Sequence, residues 1–318
     1  MPTKHAEKHK RKVIFDHDGG VDDLLSLMLL LTMEHLELLA VTITPADCYL
    51  SDATLATQKI LAMMGKEDIP IGQGRIHGIN PFPADWRAQP KICNALPDMI
   101  LQAVKPEQVS QLSADALITS MLQQHQNVCV LMTGPCSNLM AAIADQTSLK
   151  LNISEVIWMG GAVDVPGNVA MHNHNKTAEW NAFWDPIATK TLVESGLNLK
   201  MVPLDATNCL PVNMAFLQKL ATQKHYPLSN LAGQFWATTI NSIPSYEYTY
   251  FMWDVLATSV LGIAPAAFEF ETMELAVSID EPNAGQTFRQ RGSGHLVSVA
   301  TQANKDIVLD FVLAQFRR

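Results

Sequence analysis

No stretch of this chain stays apolar long enough to span a bilayer. The longest candidate, Leu24–Met33, is too short and follows a pair of acids, so no membrane span is expected. No apolar run follows the charges at the N-terminus, and a signal peptide is not expected. Positive charge is scarce: Lys and Arg number 22 against 31 Asp and Glu, a formal net charge of -9. That balance argues against nucleic acid or an anionic membrane as a partner. The exception is the basic run Lys4–Lys12, and residues 1–12 are expected to be a solvated, disordered tail. Cys48, Cys93, Cys129, Cys136 and Cys209 contain no C-x-x-C pair. They read as small buried residues of a reducing compartment, and a cytoplasmic location is expected. Repeats, low-complexity blocks and linkers are missing too, so residues 13–318 are expected to form one domain.

What the chain does contain is 48% hydrophobic residues in 318, enough for a large core. Short apolar runs at Val13–Phe15, Leu38–Thr44, Val128–Thr133, Val156–Met159 and Lys200–Leu204 read as strands. Helical patterns separate them at Val21–Glu34, Asp52–Met64, Ala114–Gln126, Ser137–Asp145 and Pro186–Glu194. Continuously apolar strands alternating with helices predict an α/β fold: an open, mainly parallel, Rossmann-like sheet with helices on both faces. Ligands of such sheets sit beyond the carboxyl ends of the strands. Further helices are expected near Asn213–Ala221, Asn230–Asn241, Trp253–Leu261 and Asp306–Phe316. The late runs "MELAVSI" and "HLVSVA" suit an antiparallel pair across a Gly-rich turn.

The stretch "VIFDHDGGVDDLLSLMLLL" concentrates Asp16, Asp18, Asp22 and Asp23 where the first strand hands over to a helix. Two unit charges 4 Å apart repel by about 4 kcal/mol at an effective dielectric near 20. Asp22 and Asp23 would be ordinary acids in a first helical turn. Asp16 and Asp18, and the Gly19–Gly20 pair that lets backbone and carboxylates converge, are not explained that way. Two readings stand on the residues alone: a charge-capped helix, or an oxygen site for a hard divalent cation, with Ca²⁺ suited to irregular coordination.

The pattern D-x-D-G-x-x-D-D resembles the opening signature of the nucleoside hydrolases, usually D-x-D-P-G-x-D-D. "MTGPCSNL" at 132–139, "MGGAVDVPGN" at 159–168, "TAEWNAFWDP" at 177–186 and "WDVLA" at 253–257 continue the resemblance in order. It implies hydrolysis of the N-glycosidic bond of ribonucleosides with bound Ca²⁺ and a homo-oligomer, a dimer being favoured. By position, Asp18, Asp23 and Asp254 would supply carboxylate ligands, and Thr133 its backbone carbonyl, its side chain being secondary. Asp18 would also be the general base toward a calcium-bound water. Asp22, Asn168, Glu179 and Asn181 would hold the ribose, although Glu179 and Asn181 also suit simple helix capping. Asp16 fits better as support behind Asp18 than as a ligand.

Three features resemble the purine-specific inosine–adenosine–guanosine type. Trp253 stands where many relatives carry His, Asp47 where Asn is usual, and Trp86 lies in the Pro-rich "NPFPADWR". The resemblance implies a purine stacked between Trp86 and Trp253, protonated at N7 by water, with Asp47 contributing to catalysis in a role left open. Core packing is the plain alternative for each Trp. Gly20 has no side chain where some purine-specific relatives carry Asn. "VAMHNHNKTA" suits a lid, its His172 and His174 reading as surface residues rather than catalysts. "NSIPSYEYTYFMWD" resembles the family's second mobile region, where Tyr246, Tyr248 and Tyr250 either close over the base or pack a core. Rival readings are a haloacid-dehalogenase-type phosphatase, a nucleoside-binding protein without turnover, and a broader inosine–uridine hydrolase.

Overall fold

Val13, Ile14 and Phe15 are all fully buried, and that is possible only if helices cover both faces of the strand they form. The computed structural model describes residues 10–171, 173–242 and 249–318. Among these, ten strands form one sheet: β1 (Arg11–His17), β2 (Leu36–Ile43), β3 (Ile71–Gln73), β4 (Val109–Ser113), β5 (Val128–Met132), β6 (Ile153–Met159), β7 (Leu199–Val202), β8 (Phe268–Val277), β9 (Thr287–Arg289) and β10 (His295–Ala303). Their order is β4-β3-β2-β1-β5-β6-β7-β10-β8-β9. Every pairing from β4 to β10 is parallel, and β8 and β9 add an antiparallel edge.

Side chains alternate faces along a strand. Val13 and Phe15 therefore enter one core with Leu24, Leu27 and Met28 of the helix Val21–Thr32. Ile14 enters the other, with Val130, Ile118, Leu139 and Leu192. Each buried leucine of that helix contributes about 1.5–3 kcal/mol. After β1 the chain builds outward through β2, β3 and β4, then returns to place β5 on the other side of β1. That reversal creates a crevice at the carboxyl ends of β1 and β5, where open α/β sheets bind ligands.

Several boundaries differ from expectation for identifiable reasons. The strand expected to reach Leu204 stops at Val202, because Pro203 has no N–H to continue the ladder, and Leu204–Thr207 turns helical. β8 and β10 pair antiparallel, Leu275 opposite His295, but the connection holds β9 and is not one turn. β1 begins at Arg11, two residues before the expected strand. Among the described residues, no helix is long and apolar enough to cross a membrane. His172, Tyr246 and Tyr248 lie outside the described residues.

Candidate active site

Adjacent strands β2, β1, β5 and β6 aim their carboxyl ends at one place. Asp18 follows β1, Asp47 lies in the loop after β2, and Thr133 follows β5. Asp22 and Asp23 open the helix Val21–Thr32, while Trp253 and Asp254 open the helix Trp253–Ser259, which packs against it.

The two glycines serve different purposes. Gly19 has φ +87, and a Cβ there would lie 2.7 Å from the Cβ atoms of Cys48 and Ala53. Both conformation and space exclude a side chain. Gly20 has an ordinary φ of -59. A Cβ at Gly20 would sit 3.1 Å from Asp47 Oδ2 and 3.2 Å from Asp23 Oδ2, so its absence lets two carboxylates close in.

The acids are tightly linked. Asp23 Oδ2 accepts from the Gly20 N–H at 2.8 Å, and its Oδ1 accepts from the Thr133 hydroxyl at 2.5 Å. The Thr133 side chain, expected to be secondary to its carbonyl, thus makes a contact of its own with a candidate ligand. Asp18 Oδ2 accepts from the Asp47 N–H at 3.2 Å, and the Asp18 and Asp23 carboxyls share a hydrogen bond. Burial, then the Asp23 and Asp47 charges, push the Asp18 carboxyl well above the usual carboxylate range. Asp254 moves the same way through burial, then Asp23, Asp22, Asp18 and Glu179. Asp47 is raised by burial and Asp23, with Arg87 opposing. Burial raises Asp23 to about 6.

Asp22 does not line the cavity that the other acids border. Its Oδ2 accepts from the Asp254 N–H at 2.6 Å, so it caps the helix that carries Asp254. Glu179 caps the helix Trp180–Trp184, accepting from the Asn181 and Ala182 N–H groups, and also accepts from the Gly161 N–H at 2.9 Å. Burial raises it to about 7. Glu179 nevertheless lines the cavity, so capping and site position coincide. Asn181 Nδ2 donates to the Thr133 carbonyl at 2.9 Å, and Asn168 lines the cavity with Oδ1 buried and without a partner. Asp16 lies behind the site: Thr42 and Asn138 donate to its Oδ1 at 2.7 and 2.9 Å.

The cavity has a volume of about 390 Å³. Asp18, Asp23, Asp47, Thr133 and Asp254 form its acidic floor. Trp86 and Trp253 both reach its wall, joined by Phe82, Trp180 and Tyr250. Trp180 stands 5.1 Å from Trp86 and 5.2 Å from Phe82, ring centre to ring centre. Neither Trp180 nor Phe82 was singled out in the sequence, although both fall inside motifs quoted above. The loop after β6 is fastened to the antiparallel edge. Arg289 pairs with Asp164 at 2.7 Å and with Glu271 at 2.8 Å, and Thr287 Oγ1 bonds the Ala162 N–H and carbonyl. His174 Nε2 donates to the Ala284 carbonyl at 3.0 Å, so this imidazole is committed to the loop.

Among the described residues, no three Asp, Glu, His or Cys side chains are already closed around a common metal position. The donor set nonetheless suits a hard cation. Asp18, Asp23, Asp254 and the Thr133 carbonyl are all oxygens, and burying that many acids together is unfavourable without a counter-charge.

The sequence model of the family described as "Inosine-uridine preferring nucleoside hydrolase" matches residues 13–311. Nucleoside hydrolase 4 of Arabidopsis thaliana is 27% identical over 295 residues, covering 79% of this chain and 53% of that protein. Uridine nucleosidase 1 of Arabidopsis thaliana is 28% identical over 220 residues, covering 68% and 63%. The chain thus matches only about half to two thirds of the length of these curated relatives. The crystal structure of an inosine-uridine preferring nucleoside hydrolase from Bacillus anthracis superposes with a TM-score of 0.88 at 32% identity, covering 96% of this chain and 99% of that one. A purine-preferring ribonucleoside hydrolase from Gardnerella vaginalis shares the fold, with a TM-score of 0.80 at 20% identity over 96% and 98% of the two chains.

Proposed function

Because this chain belongs to the inosine-uridine preferring nucleoside hydrolase family, we propose that it hydrolyses the N-glycosidic bond of purine ribonucleosides with a bound Ca²⁺, releasing base and ribose. The observation that carries this reading is one cavity joining a floor of buried carboxylates to a wall of indole rings. Asp18, Asp23, Asp254 and the Thr133 carbonyl would hold the cation. When bound, it supplies Lewis acidity and offsets the carboxylate charge, lowering the pKa of water within reach. Asp18 takes the proton of the attacking water as general base, for which hydrogen-bond reach to that water is required. Asn168, Glu179 and Asn181 face the ribose hydroxyls. A site built for the 2′-hydroxyl rejects deoxynucleosides, since a buried polar partner left unpaired is costly.

Trp86 and Trp253 bracket the purine in this reading. An aromatic face stabilises a developing cation by about 0.5–2 kcal/mol. Stacking therefore favours protonation of the leaving base at N7 without a dedicated acid. Asp47, whose N–H donates to Asp18 Oδ2 at 3.2 Å, stands beside the proposed base in the cavity lining. Asp22 holds Asp254 in place through Oδ2, which leaves Oδ1 for the ribose contact expected of it.

A broader inosine–uridine hydrolase is the second reading, favoured by the description of the matching family and by the 32% identical structure. Ribose release measured on inosine, adenosine, guanosine and uridine, with and without a chelator, separates the two. Purine specificity requires kcat/KM for inosine to exceed that for uridine. Equal or better uridine cleavage overturns it, and full activity after chelation overturns the metal.

A further inference from the structure

Trp86 and Gln89 come from one surface segment, the helices Ala84–Arg87 and Gln89–Asn94, joined through Ala88 in helical conformation. Residues three apart on such a backbone share a side. Both line the cavity, and Gln89 is the carboxamide of that segment that does so. Its Oε1 is buried and has no hydrogen-bond partner. A buried amide oxygen left unpaired is costly, and native structures seldom tolerate one without a reason. The same condition recurs within this cavity at Asp47 Oδ1, Asn168 Oδ1 and Trp253 Nε1. Other unpartnered atoms lie elsewhere in the fold, but of these four within the cavity all except Gln89 already have a place in the reaction described above.

We infer that Gln89 reads the hydrogen-bonding edge of the leaving base while Trp86 covers its face. This rests on the nucleoside-hydrolysis reading and specifies how that site selects among bases. A carboxamide carries one acceptor oxygen and a two-hydrogen donor side by side. Hypoxanthine and guanine present a carbonyl next to an N–H, and adenine presents an amino group next to a ring nitrogen. Half a turn of the amide matches either pattern. Gln89 thus recognises the edge of a purine without choosing between 6-oxo and 6-amino forms. A carboxylate at the same position accepts only, and the paired N1–H and N2–H donors of guanine suit it while the N1 acceptor of adenine does not.

The test is steady-state kinetics of the full chain, in calcium-containing buffer, for wild type, Gln89→Leu and Gln89→Glu. The substrates are inosine, guanosine, adenosine and 4-nitrophenyl riboside, whose leaving group has no such edge. Gln89→Leu should raise KM for the three nucleosides about tenfold, with kcat within about threefold and nitrophenyl riboside unaffected. Gln89→Glu should move the guanosine-to-adenosine ratio of kcat/KM about tenfold or more toward guanosine. An unchanged ratio in Gln89→Glu, or equal losses of Gln89→Leu on nucleosides and nitrophenyl riboside, overturns the inference while leaving the hydrolase reading intact. A wild-type protein that cleaves nitrophenyl riboside but no nucleoside overturns both.

Discussion

At Thr133 the hydroxyl lies 2.5 Å from Asp23 while the carbonyl accepts from Asn181 at 2.9 Å, so one residue ties two parts of the cavity lining together. Thr133→Val keeps the carbonyl and the shape but removes the donor. It should weaken calcium binding by about 10–100-fold, as loss of an outer partner of a metal ligand usually does, with little change in Tm. Calcium titration by calorimetry checks this, and unchanged affinity would return the side chain to a packing role. Asp18→Asn should lower kcat by about 10²–10⁴-fold while the protein melts normally. Near-normal turnover in that variant removes Asp18 as base. Most of these residues were legible because the signature brings Asp18, Asp22 and Asp23 within six positions. The contribution of the Thr133 hydroxyl was not, since it is a contact across 110 residues between β5 and a helix beside β1. Gln89 was equally hidden: a lone amide opening a six-residue helix has no pattern, and only the cavity gives it meaning.

Helix Trp253–Ser259 shows how an element can depend on a distant acid. It opens at Met252, whose side chain provides no cap, and Asp22 supplies the missing acceptor from 232 residues away. Losing a cap of this kind costs about 1 kcal/mol. Asp22→Ala should lower Tm by a few degrees, and Asp22→Asn, which retains an acceptor oxygen, should recover most of the loss. If Asp22→Ala melts like wild type and only KM for nucleosides rises, the ribose contact is the better account. Elements were legible where they were long and apolar: β1, β5, β6 and the helix Val21–Thr32 all carry continuous hydrophobic runs. β3 escaped because it has three residues. β4, "VSQLS", is a polar edge strand with no fully buried position, so its pattern carries no burial signal.

Over the whole molecule, the buried acids tie stability to pH. Burial raises Asp16 and Glu179 to about 7 and Asp23 to about 6, against 3.8 for an ordinary Asp and 4.5 for an ordinary Glu. A carboxyl whose folded pKa is raised contributes stability that is complete below its unfolded pKa and lost as pH rises through the folded one. Chelated protein should therefore lose Tm between about pH 5 and pH 7.5 through these groups. A cation that binds the ionised floor must displace protons at the lower pH, so the rise in Tm on adding calcium should grow across the same interval. A calcium increment that stays constant with pH would separate the acids from the metal.

The bond network around Arg289 carries a consequence of its own. Asp164 precedes Asn168 in the loop beyond β6, while Glu271 belongs to β8, in the sheet's antiparallel margin. The loop is anchored by a fork of exposed charges, and salt screens such contacts. If the proposed hydrolysis is limited by sugar leaving past that loop, turnover should rise with ionic strength, a dependence that Arg289→Ala should abolish.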